Sequence, residues 1–228
     1  MESNRLLAGL RRKDHRQLIA ACEVVELENG EVLWEPQSRI RHVYFPLDGY
    51  VSQLVPFDSR DNLELSLVGN EGMLGTPLIL GVNSSILQAL VQGSGASLRM
   101  SAAAFRRQLE QLPALRQLLN RYVYVLQAQL ALTAACISFH SVDLRLARWL
   151  LMTHDRSGAG SFHLTHQFLA QMLGVRRVGI TNAAGLLQKR ELLSYSRGEI
   201  TILNRRGLEK ASCSCYQVSK DAYDRVLG

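Results

Sequence analysis

The chain has 228 residues, 47% of them apolar, and a formal net charge of +6, which is core-forming material for one large domain or two ordinary ones and excludes a disordered or fibrous chain. No apolar run approaches the roughly 18 residues of a membrane span, and the charged start MESNRLLAGLRRKDHR lacks the apolar stretch of a secretory signal, so a cytoplasmic location is expected. Residues 1–139 hold 13 basic and 13 acidic side chains while residues 140–228 hold 13 and 7, so the basic excess lies wholly in the C-terminal part, as when one domain meets a polyanion.

Taken in order, residues 3–20 set Leu6, Leu7, Leu10 and Leu18 on one helical side, which predicts a short amphipathic leader. From Cys22 to about Met100 the pattern shortens. Runs at Val24-Val25, Val32 to Trp34, His42 to Phe45, Tyr50 to Val55, Leu63 to Leu67 and Leu87 to Val91 are separated by Asn29-Gly30, Asp48-Gly49, Asp58-Ser59, Gly69-Asn70 and Gly93. Six or more short strands with such turns predict an antiparallel sandwich or barrel, and Gly72, Gly75 and Pro77 predict a break within it. A helical regime resumes at Ser101.

Pro113 suits a first helical turn, and no breaker follows until Phe139, which predicts one helix of about 27 residues and about 40 Å. Leu115, Leu119, Tyr122, Leu126, Gln129, Thr133 and Cys136 fall at alternating spacings of four and three, with Leu118, Val125 and Leu132 broadening the apolar face. That is more apolar surface than one small sandwich covers, so a homodimer seam is expected; a core helix inside a monomer is the competing reading, because Gln129 and Thr133 weaken the heptads. A further helix is predicted over Leu144 to Met152, packing under the C-terminal residues.

Leu164 to Ile202 contains two short helices, a tight turn and a hairpin. Thr165 can cap the first helix, with Leu164 and Leu169 as a hydrophobic staple, although Phe168 stands where a capping box wants Glu or Gln. Counted from His166, Ala170 is fifth, Gly174 ninth and Ile180 fifteenth, the spacing of a DNA-binding helix-turn-helix: a small residue at the crossing, a glycine in the turn and a buried anchor on the second helix. Leu193 to Ile202 alternates around Ser196-Arg197-Gly198-Glu199, which predicts a two-stranded wing folded at Gly198. A plain helical hairpin would match three positions as well; charge and context favour a winged helix-turn-helix.

These three parts together resemble the Crp/Fnr family of bacterial transcription regulators. The likeness spans nearly the whole chain and is strongest in Leu169-Ala170-Gln171-Met172-Leu173-Gly174-Val175 and Gly198-Glu199-Ile200-Thr201-Ile202-Leu203, with Val43-Tyr44-Phe45, Gly49 and Glu71-Gly72-Met73-Leu74-Gly75 a looser match. The implied fold class is α+β: residues 1–112 an effector-sensing β jelly roll with a helical leader, 113–139 a dimerisation helix, and 140–228 a winged helix-turn-helix. The resemblance assigns base reading to Arg177, Val178, Thr181 and Asn182. Arg177 can take a guanine, Asn182 an adenine or a phosphate, and Val178 a thymine methyl. Val178 and Asn182 replace the family's usual acidic reader and second arginine, so the operator of its best-known members does not carry over. Gly179 costs this helix about 1 kcal/mol relative to Ala, and the expectation is that its missing side chain lets the backbone approach DNA. Thr165, Gln167, Arg176, Lys189 and Arg197 are the expected phosphate contacts.

The effector pocket implied by the resemblance comprises Glu71, Gly72, Gly75, Thr76, Asn83, Ser84 and Ser85. Thr76 stands for the glutamate of a cyclic-nucleotide binder and Asn83 for its phosphate-gripping arginine, which argues against cyclic AMP. An iron–sulfur cluster needs about four cysteine ligands, and only Cys22 lies in the N-terminal domain, which excludes that branch by count. Haem is not expected either, since His42 or His140, each a lone histidine, is better read as structural. No cofactor is therefore identified. The implied partners are double-stranded DNA, a second copy of the chain, RNA polymerase and an unidentified small-molecule effector, with no membrane.

Three rival readings remain. His163, His166, Cys213 and Cys215 offer four zinc-competent ligands, although their spacings are loose for a structural zinc site. A degenerate, non-DNA-binding dimerisation module is the second, against which stand the pairs Arg176-Arg177 and Lys189-Arg190. An enzyme is the third, and no phosphate loop, nucleophile elbow, zinc-protease helix or dinucleotide fingerprint supports it.

Overall fold

The computed structural model describes residues 4–57, 61–158 and 160–228. The leader is two helices, α1 Arg5–Ala8 and α2 Arg12–Ile19. They part at Gly9, where a β-carbon would press on Leu118. Leu6, Leu7, Leu10 and Leu18 are buried as their spacing predicts. Asn4 caps α1 with its Oδ1 and donates its amide to the carbonyls of Pro46 and Gly72.

Beyond the leader, the described residues form seven strands before the next α-helix: β1 Glu23–Leu27, β2 Val32–Trp34, β3 His42–Pro46, β4 Tyr50–Phe57, β5 Asp61–Val68, β6 Gln88–Gly93 and β7 Gly95–Ser101. They pair antiparallel in two sheets, β1-β7-β3 and β2-β6-β4-β5, which makes the N-terminal domain a β jelly roll. β7 is an addition to the predicted strands; its run of Gly, Ala and Ser carries little strand signal, and Gly93 and Gly95 mark a corner where the chain changes sheet. The break predicted by Gly72, Gly75 and Pro77 is present and ends in a 3-10 turn, Thr76–Leu80. The turn expected at Asp58-Ser59 lies outside the described residues.

Helix α3, Ala102–Gln111, is capped by Ser101 and leads into α4, Pro113–Phe139. Leu115, Leu119 and Tyr122, expected in a dimer seam, are instead buried in the core of their own jelly roll together with Leu118. Those three residues are therefore not free to meet a second copy. Gly72 comes so close to Tyr122 that a β-carbon there would collide with the phenol oxygen, and the same oxygen accepts the Met73 N–H at 3.2 Å. Leu126, Gln129 and Thr133 are half-buried, while Tyr124, Gln127, Leu130, Ala131, Ala134 and Ile137 are exposed. By length and composition α4 could cross a membrane, contrary to the reading that no run is long and apolar enough, yet its N-terminal half is already packed inside the jelly roll.

Beyond a break at His140 run α5 Val142–Ser157, β8 Ser161–His163, α6 His166–Leu173, α7 Arg177–Lys189, β9 Leu193–Ser196, β10 Glu199–Ile202, α8 Arg205–Ala211 and α9 Cys215–Leu227. The wing is three-stranded, ordered β8-β10-β9, rather than a two-stranded hairpin. Leu146, Leu150, Leu169, Ile180, Leu187 and Ile200 form a second core that also takes in Tyr50, Leu54 and Leu67 of the jelly roll.

That shared boundary encloses a carboxyl group. Glu64 accepts from the Ser52 hydroxyl at 2.6 Å and from Trp149 Nε1 at 2.8 Å, and burial lifts its pKa from the ordinary 4.5 to about 7. The fold therefore keeps a proton that the unfolded chain releases, so this contribution to stability is full below pH 4.5 and is lost as the pH rises to about 7. Glu64→Gln removes the titrating group and should flatten the stability–pH profile across that interval. Denaturant unfolding at a series of pH values checks this; an unchanged slope would contradict it.

Candidate nucleic-acid interface

The turn between α6 and α7 is built as its spacing predicts. Thr165 Oγ1 accepts the Phe168 N–H at 3.1 Å, and Leu164 and Leu169 are both buried beside it. Phe168 occupies the capping-box position because its ring meets Trp149 edge-on, with centroids 6.4 Å apart. Gly174 takes φ 61° and ψ 46°, and its N–H closes onto the carbonyls of Ala170 and Gln171. Ala170 is 3% exposed at the crossing and Ile180 is fully buried.

These contacts point one stripe of α7 outward. Arg177, Val178, Thr181 and Asn182 are all exposed, as is Lys189 one face-length on. The first turn of α7 has no side-chain cap and no acidic residue, so its positive dipole end and free N–H groups add to Arg176 and Arg177 in attracting phosphate. Arg176, Gln167 and Thr165 are exposed at the same end. Thr165 is the least free of the three, its hydroxyl being committed to the cap. Arg176, Arg177 and Gln167 also line a cleft of about 680 Å³ against Val55, Phe57 and Leu63 of the jelly roll. At the wing tip Arg197 and Gly198 have φ of 51° and 85°, the paired positive values of a tight hairpin turn, and Arg197 is exposed there.

His166 ties these pieces together, a role invisible in its sequence context. Its Nδ1 lies 3.0 Å from Thr181 Oγ1, its ring stacks on Tyr195 of the wing at 4.3 Å, and the Tyr195 hydroxyl donates to the Leu164 carbonyl. Burial, with Arg177 nearby, holds its pKa below the usual histidine value. The Thr181 hydroxyl is thus held in a fixed orientation on the exposed face of α7. Gly179 departs from expectation: a β-carbon there would point at Val142 of α5, not outward, whereas at exposed Gly185 it would meet nothing within 4 Å.

The other expected sites fare differently. Glu71 lines a cavity of about 410 Å³ with Arg5, Arg156 and Tyr223, where its Oε1 pairs with Arg156 Nη2 at 2.7 Å and its carbonyl accepts from Tyr223 of α9. Gly72 is closed by Tyr122, and Gly75 packs on Val43. Asn83 instead accepts from Arg106, Ser84 pairs with Arg39, and the buried Ser85 hydroxyl accepts the Leu87 N–H. The segment thus serves two separate sets of contacts, and Thr76 begins the 3-10 turn between them. His42 lies edge-on to Tyr44. The four-ligand set His163, His166, Cys213 and Cys215 is not assembled: His163 is paired to Glu199 across the wing, His166 is held by Thr181 and Tyr195, and both cysteines lie elsewhere.

Residues 144–211 match the Crp-like helix-turn-helix domain. That part of the chain is a Crp-like helix-turn-helix domain. No curated protein matches the chain. Among solved structures the chain is similar to FixK2 from Bradyrhizobium japonicum, at 14% identity and a TM-score of 0.70 over 85% of this chain and 98% of that one. It is also similar to the c-di-GMP-responsive global regulator CLP of Xanthomonas campestris, at 15% identity and a TM-score of 0.69 over 84% and 99%. A CRP/FNR-family regulator from Thermus thermophilus aligns at 20% identity and a TM-score of 0.63 over 83% and 98%. At these identities what is shared is the fold.

The turn gives a direct stability test. A valine at Gly174 would have to hold a left-handed backbone and place its β-carbon 2.8 Å from Leu63 Cδ1. Gly174→Val should destabilise the protein by about 2 kcal/mol, read as a melting-temperature drop of roughly 4–8 °C. An unchanged melting temperature would mean that the turn is not fixed in the left-handed form.

Proposed function

We propose that the protein acts in the cytoplasm as a homodimer that reads a palindromic operator, each copy laying α7 in the major groove and its wing beside it. The observation that carries this is the single exposed stripe of Arg177, Val178, Thr181 and Asn182 at an uncapped, positively charged helix end. Arg177 takes a guanine edge, Val178 a thymine methyl and Asn182 an adenine or a phosphate, while Arg176, Lys189, Arg197, Gln167 and Thr165 set register on the backbone. Gly185 allows the helix backbone close to the groove wall.

Dimerisation uses the face of α4 that the jelly roll leaves open. Tyr124, Gln127, Ala131 and Ala134 are spaced by three, four and three, flanked by Leu130 and Ile137, a seam in which the alanines permit close helix approach. Only 17% of the most apolar 18-residue window of α4 is buried within one copy, which supports a second copy as its cover. A signal at the N-terminal domain, by our reading, reaches the DNA through the Glu71–Arg156 pair and the cleft beside α6, changing how the protein presents DNA to RNA polymerase.

Two substitutions separate base reading from backbone attraction. Arg177→Ala should cost about 1–3 kcal/mol at the preferred site and relax preference at one base pair. Lys189→Ala should weaken binding to all duplexes alike and lower the salt slope by about one. Binding to a preferred and a scrambled duplex over a range of salt concentrations measures both. Equal losses on both duplexes for both variants would overturn the assignment.

A further inference from the structure

Away from the DNA-binding face, four residues distant in sequence converge. Cys136 and His140 lie one turn apart at the end of α4 and its cap, and Cys213 and Cys215 lie where α8 gives way to α9. Their four donor atoms all stand within 4.8 Å of one another. Cys136 Sγ is 3.5 Å from Cys213 Sγ, and Cys215 Sγ is 3.6 Å from His140 Nδ1. We propose that these four residues bind one zinc ion and thereby staple the end of α4 to the C-terminal segment of the DNA-binding domain.

Geometry, charge and burial agree on that ion. Tetrahedral zinc bonds sulfur at about 2.3 Å and imidazole nitrogen at about 2.0–2.1 Å, which sets S···S edges near about 3.8 Å and S···N edges near about 3.6 Å. A multi-iron cluster spreads its ligands over several metal atoms and does not suit four donors gathered this tightly. Three thiolates and a neutral imidazole also exclude hard cations such as magnesium or calcium.

The surroundings supply the counter-charge. Three thiolates with one divalent ion and a neutral histidine carry a net charge of −1. Arg145 and Arg148, 8% and 7% exposed, flank the cysteines. Neither has a carboxylate partner among the ion pairs of the described residues, and Arg148 Nε is buried without a hydrogen bond. A buried cation needs such an anion. The three cysteines form their own buried cluster with Leu144, apart from both main cores, as befits a closed structural site with no open coordination position.

The position gives the ion its role. The chain breaks from helix at His140, with φ −109° and ψ 141°, immediately before α5 enters the DNA-binding domain. From Cys215, α9 runs back along α4. A bond network joining residues 77 apart across this joint restricts how the DNA-binding domain swings on α4.

The full-length protein, purified under reducing conditions without chelator, should contain one zinc per chain by atomic emission. Cys22→Ser should keep it, and the double variant Cys213→Ser with Cys215→Ser should lose it. Because the double variant can fail to fold, the wild-type protein is also stripped and titrated with cobalt(II): one equivalent should saturate an intense tetrahedral, thiolate-to-metal absorption. The stripped protein should melt at a lower temperature than the zinc form. Absence of metal, a Cys136–Cys213 disulfide in its place, iron with sulfide, a weak octahedral cobalt spectrum, or zinc retained by the double variant would each overturn the proposal.

Discussion

The contact on which the rest of the structure depends is the one between Tyr122 and the chain at Gly72 and Met73. The ring is buried where α4 crosses that segment, the phenol oxygen takes a backbone N–H, and no side chain fits at the glycine. With Leu115, Leu118 and Leu119 alongside, it makes the first half of α4 a part of the jelly-roll core. Interiors packed this closely transmit displacement rather than absorb it. The next residue back, Glu71, pairs with Arg156 of α5 and receives Tyr223 of α9, so the segment that grips α4 also grips the DNA-binding domain.

The recognition helix is fixed from the other side by polar contacts of limited strength. Thr181, His166 and Tyr195 link α7, α6 and the wing in a chain of neutral contacts, while Trp149 reaches Glu64 of the jelly roll. Such a boundary holds one pose but can exchange it for another, because its polar groups lose only modest net energy when water replaces their partners. The apolar cores on either side are the rigid parts, and the boundary between them is the part that can rearrange.

What the sequence reveals here is mostly local. The spacing of Ala170, Gly174 and Ile180 predicts the helix-turn-helix because each residue answers a short-range need. The breaker-free run after Pro113 marks α4 to its observed ends. β7 escapes notice because small residues pair by backbone alone. The buried face of α4 is misread for a different reason: the helix is apolar on two faces, and only the folded jelly roll decides that Leu115, Leu119 and Tyr122 turn inward while Tyr124 and Ala131 stay open. Glu71 sits in a motif suggestive of ligand binding, yet its partner is an arginine 85 residues away. Cys213 and Cys215 attract attention as metal ligands from sequence, but their neighbours are Cys136 and His140, which no spacing rule connects across so long a stretch.

Selection of bound duplexes from random DNA tests the central claim, that two copies of this chain present two α7 helices to one face of the duplex. An enriched palindrome whose half-sites are centred about 34 Å, or one helical turn, apart is the expected result. Enrichment of a single asymmetric half-site, or of no sequence at all, would contradict it.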